Sequence, residues 1–188
     1  MITKCPWALT NPLMEQYHDL EWGVPVHNDI KLFEFLLLEG AQAGLSWLTI
    51  LKKRESYRIA FDNFDPEKIA CYNREKIEIL MNEPEIIRNR RKLEAAVQNA
   101  RSFLDISAKH GNFNIYIWSF TGGAVICNSY KNMKDIPVMS KESERMSKDL
   151  SANGFRFTGP TICYSFMQAV GIVNDHLTDC FRYRELVG

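Results

Sequence analysis

Residues 140–170, SKESERMSKDLSANGFRFTGPTICYSFMQAV, decide the fold. Residues 140–152 are polar-faced and helical in pattern, and Asn153-Gly154 closes them. Glycine there supplies the left-handed backbone that a helix end requires. Phe155-Arg156-Phe157-Thr158-Gly159 makes a tight turn, and Pro160 opens a second helix that runs to Val170, capped by Gly159 or Thr158. The segment therefore reads helix, hairpin, helix.

Working outward, residues 29–61 predict two more helices. The stretch 31–38 is apolar on nearly every side, which predicts a helix in the middle of the fold. Leu48, Leu51, Tyr57 and Phe61 repeat at helical spacing, with Lys52, Lys53, Arg54 and Glu55 expected to face water. Gly40 and Gly44 lie between the two and allow a break or the close approach of another segment. Residues 66–110 keep a helical pattern, starting at Asp65-Pro66, with an apolar stripe through Ile86, Ile87, Leu93, Ala96, Val97, Ala100 and Leu104. Residues 114–130 alternate like a strand, and Thr121-Gly122-Gly123 suits a hairpin; the pattern leaves helix and strand both open. The fold class is all-α, one domain over residues 1–188.

Composition narrows the function only slightly. The 46% of hydrophobic residues is enough for a sizeable core and argues against disorder. No secretory pattern opens the chain, and the longest apolar run, residues 35–38, is too short for a bilayer. The expectation is a cytoplasmic protein with no membrane partner. The 23 basic residues balance 23 acidic ones, so no global positive field marks a nucleic-acid partner. Local clusters exist at Lys52-Lys53-Arg54 and Arg88-Asn89-Arg90-Arg91-Lys92. Five scattered cysteines do not make a disulfide framework; Cys71 and Cys163, among apolar neighbours, are expected to be reduced core residues.

Two constellations carry chemistry. His176 and Cys180 stand about one helical turn apart, and Cys5 and His18 form a second such pair at the other end of the chain. Two Cys and two His would complete a closed tetrahedral zinc shell. The alternative is four ordinary residues, hydrogen-bonded histidines and small core cysteines. His27 and His110 have no such partners and read as surface or loop residues. The second constellation is aromatic and acidic. Trp7, Tyr17, Trp22 and Trp47 lie in weakly periodic segments and either line a pocket for a planar ligand or plug the core. Glu39 ends the apolar run Leu36-Leu37-Leu38, where an ionised carboxylate is costly without a partner. It is either a structural ion pair with an Arg or Lys, or a carboxylate aimed into a pocket.

Taken together, Cys5-Pro6-Trp7, the run from Tyr17-His18-Asp19 to Gly23-Val24-Pro25, Leu38-Glu39-Gly40-Ala41-Gln42-Ala43-Gly44-Leu45-Ser46-Trp47, Ile87-Arg88-Asn89-Arg90-Arg91-Lys92, and the hairpin from Gly154 to Thr161 with Val173-Asn174-Asp175-His176 resemble the 3-methyladenine DNA glycosylase I family. The resemblance spans residues 5 to about 180. It implies a helix-hairpin-helix glycosylase fold, with the hairpin at about 140–173 and one structural Zn2+ held by Cys5, His18, His176 and Cys180, joining ends at about 1–25 and 174–188. It further implies a monofunctional base-excision repair enzyme, a monomer acting on double-stranded DNA that contains alkylated bases. Water would be the nucleophile. Glu39 and Tyr17 would contact the excised base, with Trp7, Trp22 and Trp47 around it. Gly154, Gly159 and Thr161 would grip DNA through backbone amides and the helix end. Where related glycosylases carry a catalytic aspartate, this sequence has Asn174 with Asp175 beside it, so Asp175 receives no catalytic role. Two rival readings remain to be met by the structure: a zinc-stapled DNA-binding module without a pocket, and a cysteine-dependent enzyme using Cys127 or Cys163.

Overall fold

Asparagine and serine side chains start the helices of this chain. In the computed structural model, which describes residues 3–187, Asn11, Asn28, Ser46, Asn73, Asn89 and Ser140 each accept a hydrogen bond from an N–H of the turn they precede. The helices are α1 (Pro12–Leu20), α2 (Asp29–Gln42), α3 (Trp47–Ala60), α4 (Pro66–Ala70) and α5 (Arg74–Asn82), then α6 (Arg90–His110), α7 (Phe113–Trp118), α8 (Lys141–Ala152), α9 (Pro160–Ala169) and α10 (Phe181–Val187). Two short strands, β1 (Ile126–Cys127) and β2 (Val173–Asn174), pair in parallel, Ile126 opposite Val173. The all-α expectation holds; Met1, Ile2 and Gly188 of the expected domain lie outside the described residues.

The α2 helix is the centre of the molecule. Every residue from Leu32 to Ala41 is buried, and the helix packs against α3, α6, α7 and α9. Such all-round burial is what an apolar run with no polar face requires. Phe33 and Phe35 are among its largest sealed side chains, and truncating either to alanine removes about 3–5 kcal/mol. Gly40 lies inside the helix, not at a break. A Cβ there would stand 3.4 Å from the Cβ of Phe157, within contact distance, so this turn of the helix packs directly under the hairpin. The chain turns instead after Gln42, where Gly44 takes φ +81°.

The stretch that the pattern left open is helical over residues 113–118, because Phe113, Tyr116, Ile117 and Phe120 recur at helical spacing and are all buried, while Asn112 caps the turn. Two expectations are corrected. Cys71 is exposed at the end of α4 and is not a core residue. Arg54 does not face water: it leans over α2, donating two bonds to Glu21, at 2.9 and 2.8 Å, and one to Glu34 at 2.7 Å.

Candidate active site and metal centre

The two chain ends meet. Cys5 precedes a short 3-10 turn, His18 sits on α1, and His176 and Cys180 follow β2; all four are buried. Their ligand atoms lie within 4.8 Å of one another. His176 Nδ1 stands 3.2 Å from His18 Nε2, while Cys180 Sγ stands 3.4 Å from His18 Nε2 and 3.6 Å from His176 Nδ1. Cys5 Sγ is 3.7 Å from His176 Nδ1. The outward nitrogens decide the tautomers. His18 Nδ1 lies 2.8 Å from the Asp19 carboxylate and His176 Nε2 lies 2.9 Å from the Trp22 carbonyl, both acceptors only. The protons therefore sit on the outer nitrogens, and two lone pairs face each other inside. A cation between them resolves that conflict, so this group could hold a metal ion, with no position left open for a substrate.

The same residues buttress an aromatic wall. Tyr17 is the neighbour of His18 on α1, so when His18 faces the cluster Tyr17 faces the next space over. The Trp22 ring stands edge-on to His176 at 4.5 Å and to Trp7 at 5.1 Å, and Tyr17 lies 5.5 Å from Trp47. Trp7, Tyr17, Trp22 and Trp47 line one cleft of about 380 Å³. Glu39 and Gln42 from α2, the segment around Ile136 to Val138, and Thr161, Tyr164, Ser165 and Gln168 from α9 complete it.

Within the cleft, Glu39 is only 3% exposed and no Lys or Arg of the described residues pairs with it. Burial alone pushes its carboxyl up to about 8. Burial, and then the charge of Glu39, push the Tyr17 phenol well above its ordinary range, so it stays a proton donor. The Trp47 Nε1–H is sealed from solvent without a partner. A cleft of indole and phenol faces with one unpaired carboxylate suits a planar cation. The structural ion pair weighed for Glu39 belongs instead to Glu34, five positions earlier on the same helix, which meets Arg54, Arg58 and Lys31.

The hairpin leads into the amino end of α9. Gly154 takes φ +87°, and a Cβ there would come within 2.9 Å of Ser102 Oγ on α6. That position is packed inward. Gly159 caps α9 without a side-chain partner, and a Cβ there meets nothing within 4 Å. It opens on a groove shared with Arg91, Gln98, Ser151 and Arg156. Thr161, two residues further along, is exposed and borders the aromatic cleft. The clamp that shapes the turn escaped sequence reading: Asn99 of α6 donates to the Arg156 carbonyl at 3.0 Å and accepts from the Arg156 N–H at 2.7 Å. Tyr164, Ser165 and Gln168 were also missed, although the spacing of Thr161, Tyr164, Ser165 and Gln168 puts polar atoms on one face of an otherwise buried helix.

Asp175 is 1% exposed and lies behind that face, where Asn128, Tyr164 and Gln168 all donate to it. It does not line the cleft. Cys163 is buried, its thiol pushed up to about 12 by that burial, which does not suit a nucleophile.

Residues 7–183 match the model of the methyladenine glycosylase family. A DNA-3-methyladenine glycosylase of Haemophilus influenzae is 47% identical over 180 residues, covering 96% of this chain and 97% of the relative. DNA-3-methyladenine glycosylase 1 of Escherichia coli is 46% identical over 180 residues, at 96% of each chain. The 3-methyladenine DNA glycosylase I of Staphylococcus aureus, solved for the structural basis of 3-methyladenine recognition, superposes with a TM-score of 0.92 at 39% identity, over 96% of each chain. This chain belongs to the methyladenine glycosylase family.

Proposed function

We propose that this protein is a DNA-3-methyladenine glycosylase, a base-excision repair enzyme that hydrolyses the N-glycosidic bond of 3-methyladenine in alkylated double-stranded DNA. The observation that carries the reading is the unpaired Glu39 carboxylate among the faces of Tyr17, Trp7, Trp22 and Trp47. N3-methylation makes adenine in DNA a cation and a good leaving group. The enzyme must extrude that base from the duplex, and a damaged base unstacks more cheaply than a normal one. Indole faces attract the cation, Glu39 supplies the matching charge, and Tyr17 donates or accepts a hydrogen bond. Neutral adenine gains none of the charge attraction. When the bond breaks, its electron pair goes to the base, which leaves neutral, and water adds to the sugar carbon and gives up its proton to solvent.

Gly159 and the amino end of α9 would approach a phosphate, which needs few lysines and accords with the neutral net charge. Gly154 supports the turn from inside, and Thr161 borders both the hairpin and the cleft.

The metal is read as one structural zinc on Cys5, His18, His176 and Cys180. Tetrahedral zinc, with bonds of about 2.3 Å to sulfur and about 2.05 Å to nitrogen, spaces its ligands about 3.35 Å apart for two nitrogens and about 3.55 Å for nitrogen and sulfur. The separations of 3.2, 3.4, 3.6 and 3.7 Å given above fall within about 0.2 Å of those edges. When bound, zinc would tie segments 171 residues apart and hold the aromatic wall, with no part in bond cleavage.

Two measurements test the reading. Incubation with N-methylated DNA should release 3-methyladenine, and release of no base would leave only a DNA-binding module. Elemental analysis should find one zinc per chain, and Cys5→Ser should melt at lower temperature. A metal-free protein, or unchanged melting of that variant, would overturn the zinc assignment.

A further inference from the structure

The α9 wall of the cleft has a polarity that is built in from behind. Asp175 accepts the Asn128 Nδ2–H at 2.7 Å on Oδ1, and the Tyr164 hydroxyl at 2.6 Å and the Gln168 Nε2–H at 2.7 Å on Oδ2. No Lys or Arg of the described residues pairs with it, so these three neutral donors are what make its burial tolerable. Oδ2 thus accepts from two donors at once, and Gln168 presents its amide nitrogen, not its carbonyl, to Asp175.

The other lobe of the amide follows from this. Gln168 lines the cleft, and its Oε1 has no partner among the described residues, yet is not among the atoms sealed from solvent. It is an open acceptor in the cleft. The backbone around it is pinned as well, because the Gln168 carbonyl accepts the Gly23 N–H at 3.0 Å. Glu39 differs: a carboxyl that holds its proton up to about 8 can donate as well as accept. Gln168 has no such freedom, because with Nε2 held by Asp175 its outward atom is an amide oxygen, which can only accept.

Resting on the glycosylase reading above, we infer that Gln168 Oε1 is a specificity-determining acceptor for the exocyclic amino group of the extruded purine, and that Asp175 is the positioning residue that fixes its direction. Adenine presents an N6 amino donor where guanine presents an O6 acceptor. A locked acceptor attracts the first and repels the second, and an alkylated adenine cation is the stronger donor. The wall would thus reject 6-oxo purines whatever the protonation of Glu39.

The test is the ratio of kcat/KM for release of 3-methyladenine and of 3-methylguanine from methylated DNA. Gln168→Leu removes the acceptor and should lower 3-methyladenine release about 10-fold, the effect of one hydrogen bond to a charged partner, with 3-methylguanine release unchanged or raised. Asp175→Asn frees the amide to turn and should narrow the ratio by a similar factor while Gln168 stays in place. Both proteins are checked by thermal unfolding; if Asp175→Asn does not fold, Gln168→Leu alone decides. A purely structural Asp175 would lower both rates together, and an unchanged ratio in the folded variants overturns the inference. If the parent protein releases neither base, the glycosylase reading fails and this one with it.

Discussion

Glu34 and Glu39 share one helix, five residues apart, and are 2% and 3% exposed, yet they have opposite surroundings. Glu34 is met by Arg54 Nε at 2.7 Å, Arg58 Nη2 at 2.9 Å and Lys31 Nζ at 3.2 Å. Burial would raise its carboxyl, but Arg54 first, with Lys31 and Arg58, outweighs that and holds it low. Glu39 has no such partner, and burial alone raises it to about 8. One carboxylate is neutralised by the fold; the other waits for a cation that the fold does not contain. An unpaired buried acid is expensive for stability, so its retention points to a ligand.

The largest effect expected of that contrast is on chemistry. Glu39→Gln keeps shape and removes charge, and should reduce 3-methyladenine excision roughly 10²–10³-fold. Stability should move the other way. The folded Glu39 holds its proton more tightly than the unfolded chain does, so its contribution is full below the ordinary carboxylate range and is lost as pH rises toward 8. Thermal unfolding at pH 9 should therefore show Glu39→Gln above the parent, with the two close together at pH 4.

Glu34→Gln should do the reverse: cost about 3 kcal/mol of stability, the low end for breaking a buried pair because its partners stay partly hydrated, and leave excision by the folded fraction near normal. The folded Glu34 has a lowered pKa, so its contribution is present above the ordinary carboxylate range and fades on acidification; the deficit in denaturant melts should shrink at low pH. Loss of excision with normal stability would break the contrast. The smallest effect is expected far from both acids. Gly159→Asp should weaken binding of DNA with an abasic site about tenfold, equally across DNA sequences, and leave binding of free 3-methyladenine intact. Equal loss for both ligands, in parallel titrations, would make the hairpin a folding element.

Much of this was legible in sequence because it rests on local chemistry. Asn153-Gly154 and Gly159-Pro160 bound the hairpin, and Asp65-Pro66 starts α4, through backbone preferences of those residues themselves. The four Cys and His stood out as a candidate set, but their residue types left a shared metal shell and four ordinary residues both open; the resemblance favoured the shell, and the structure brings their ligand atoms within 4.8 Å of one another. The fates of Glu34 and Glu39 were not legible, because both interrupt the same apolar helix and differ mostly in what α3 lays over them: Arg54 and Arg58 join Lys31 at one and do not reach the other. Arg54 itself looked like a solvated residue for the same reason. Gln168 and Asp175 were hidden for a related one, since an amide's direction depends on a partner across the fold. Residues 113–118 stayed open because the unbroken apolar run from Ile115 to Trp118 shows no period of its own, and only the burial of Phe113, Tyr116 and Ile117 reveals the helical turn.

The most direct test of the central claim, that Glu39 is held without a counter-ion for a cationic base, is the pH dependence of kcat/KM for 3-methyladenine excision. That ratio reports groups of the free enzyme. The parent protein should rise with pH and level off with an apparent pKa near 8, as Glu39 gives up its proton, and Glu39→Gln should be slow and flat across the same range. A parent profile already flat from pH 6 to 9, or the same rise persisting in Glu39→Gln, would contradict the account.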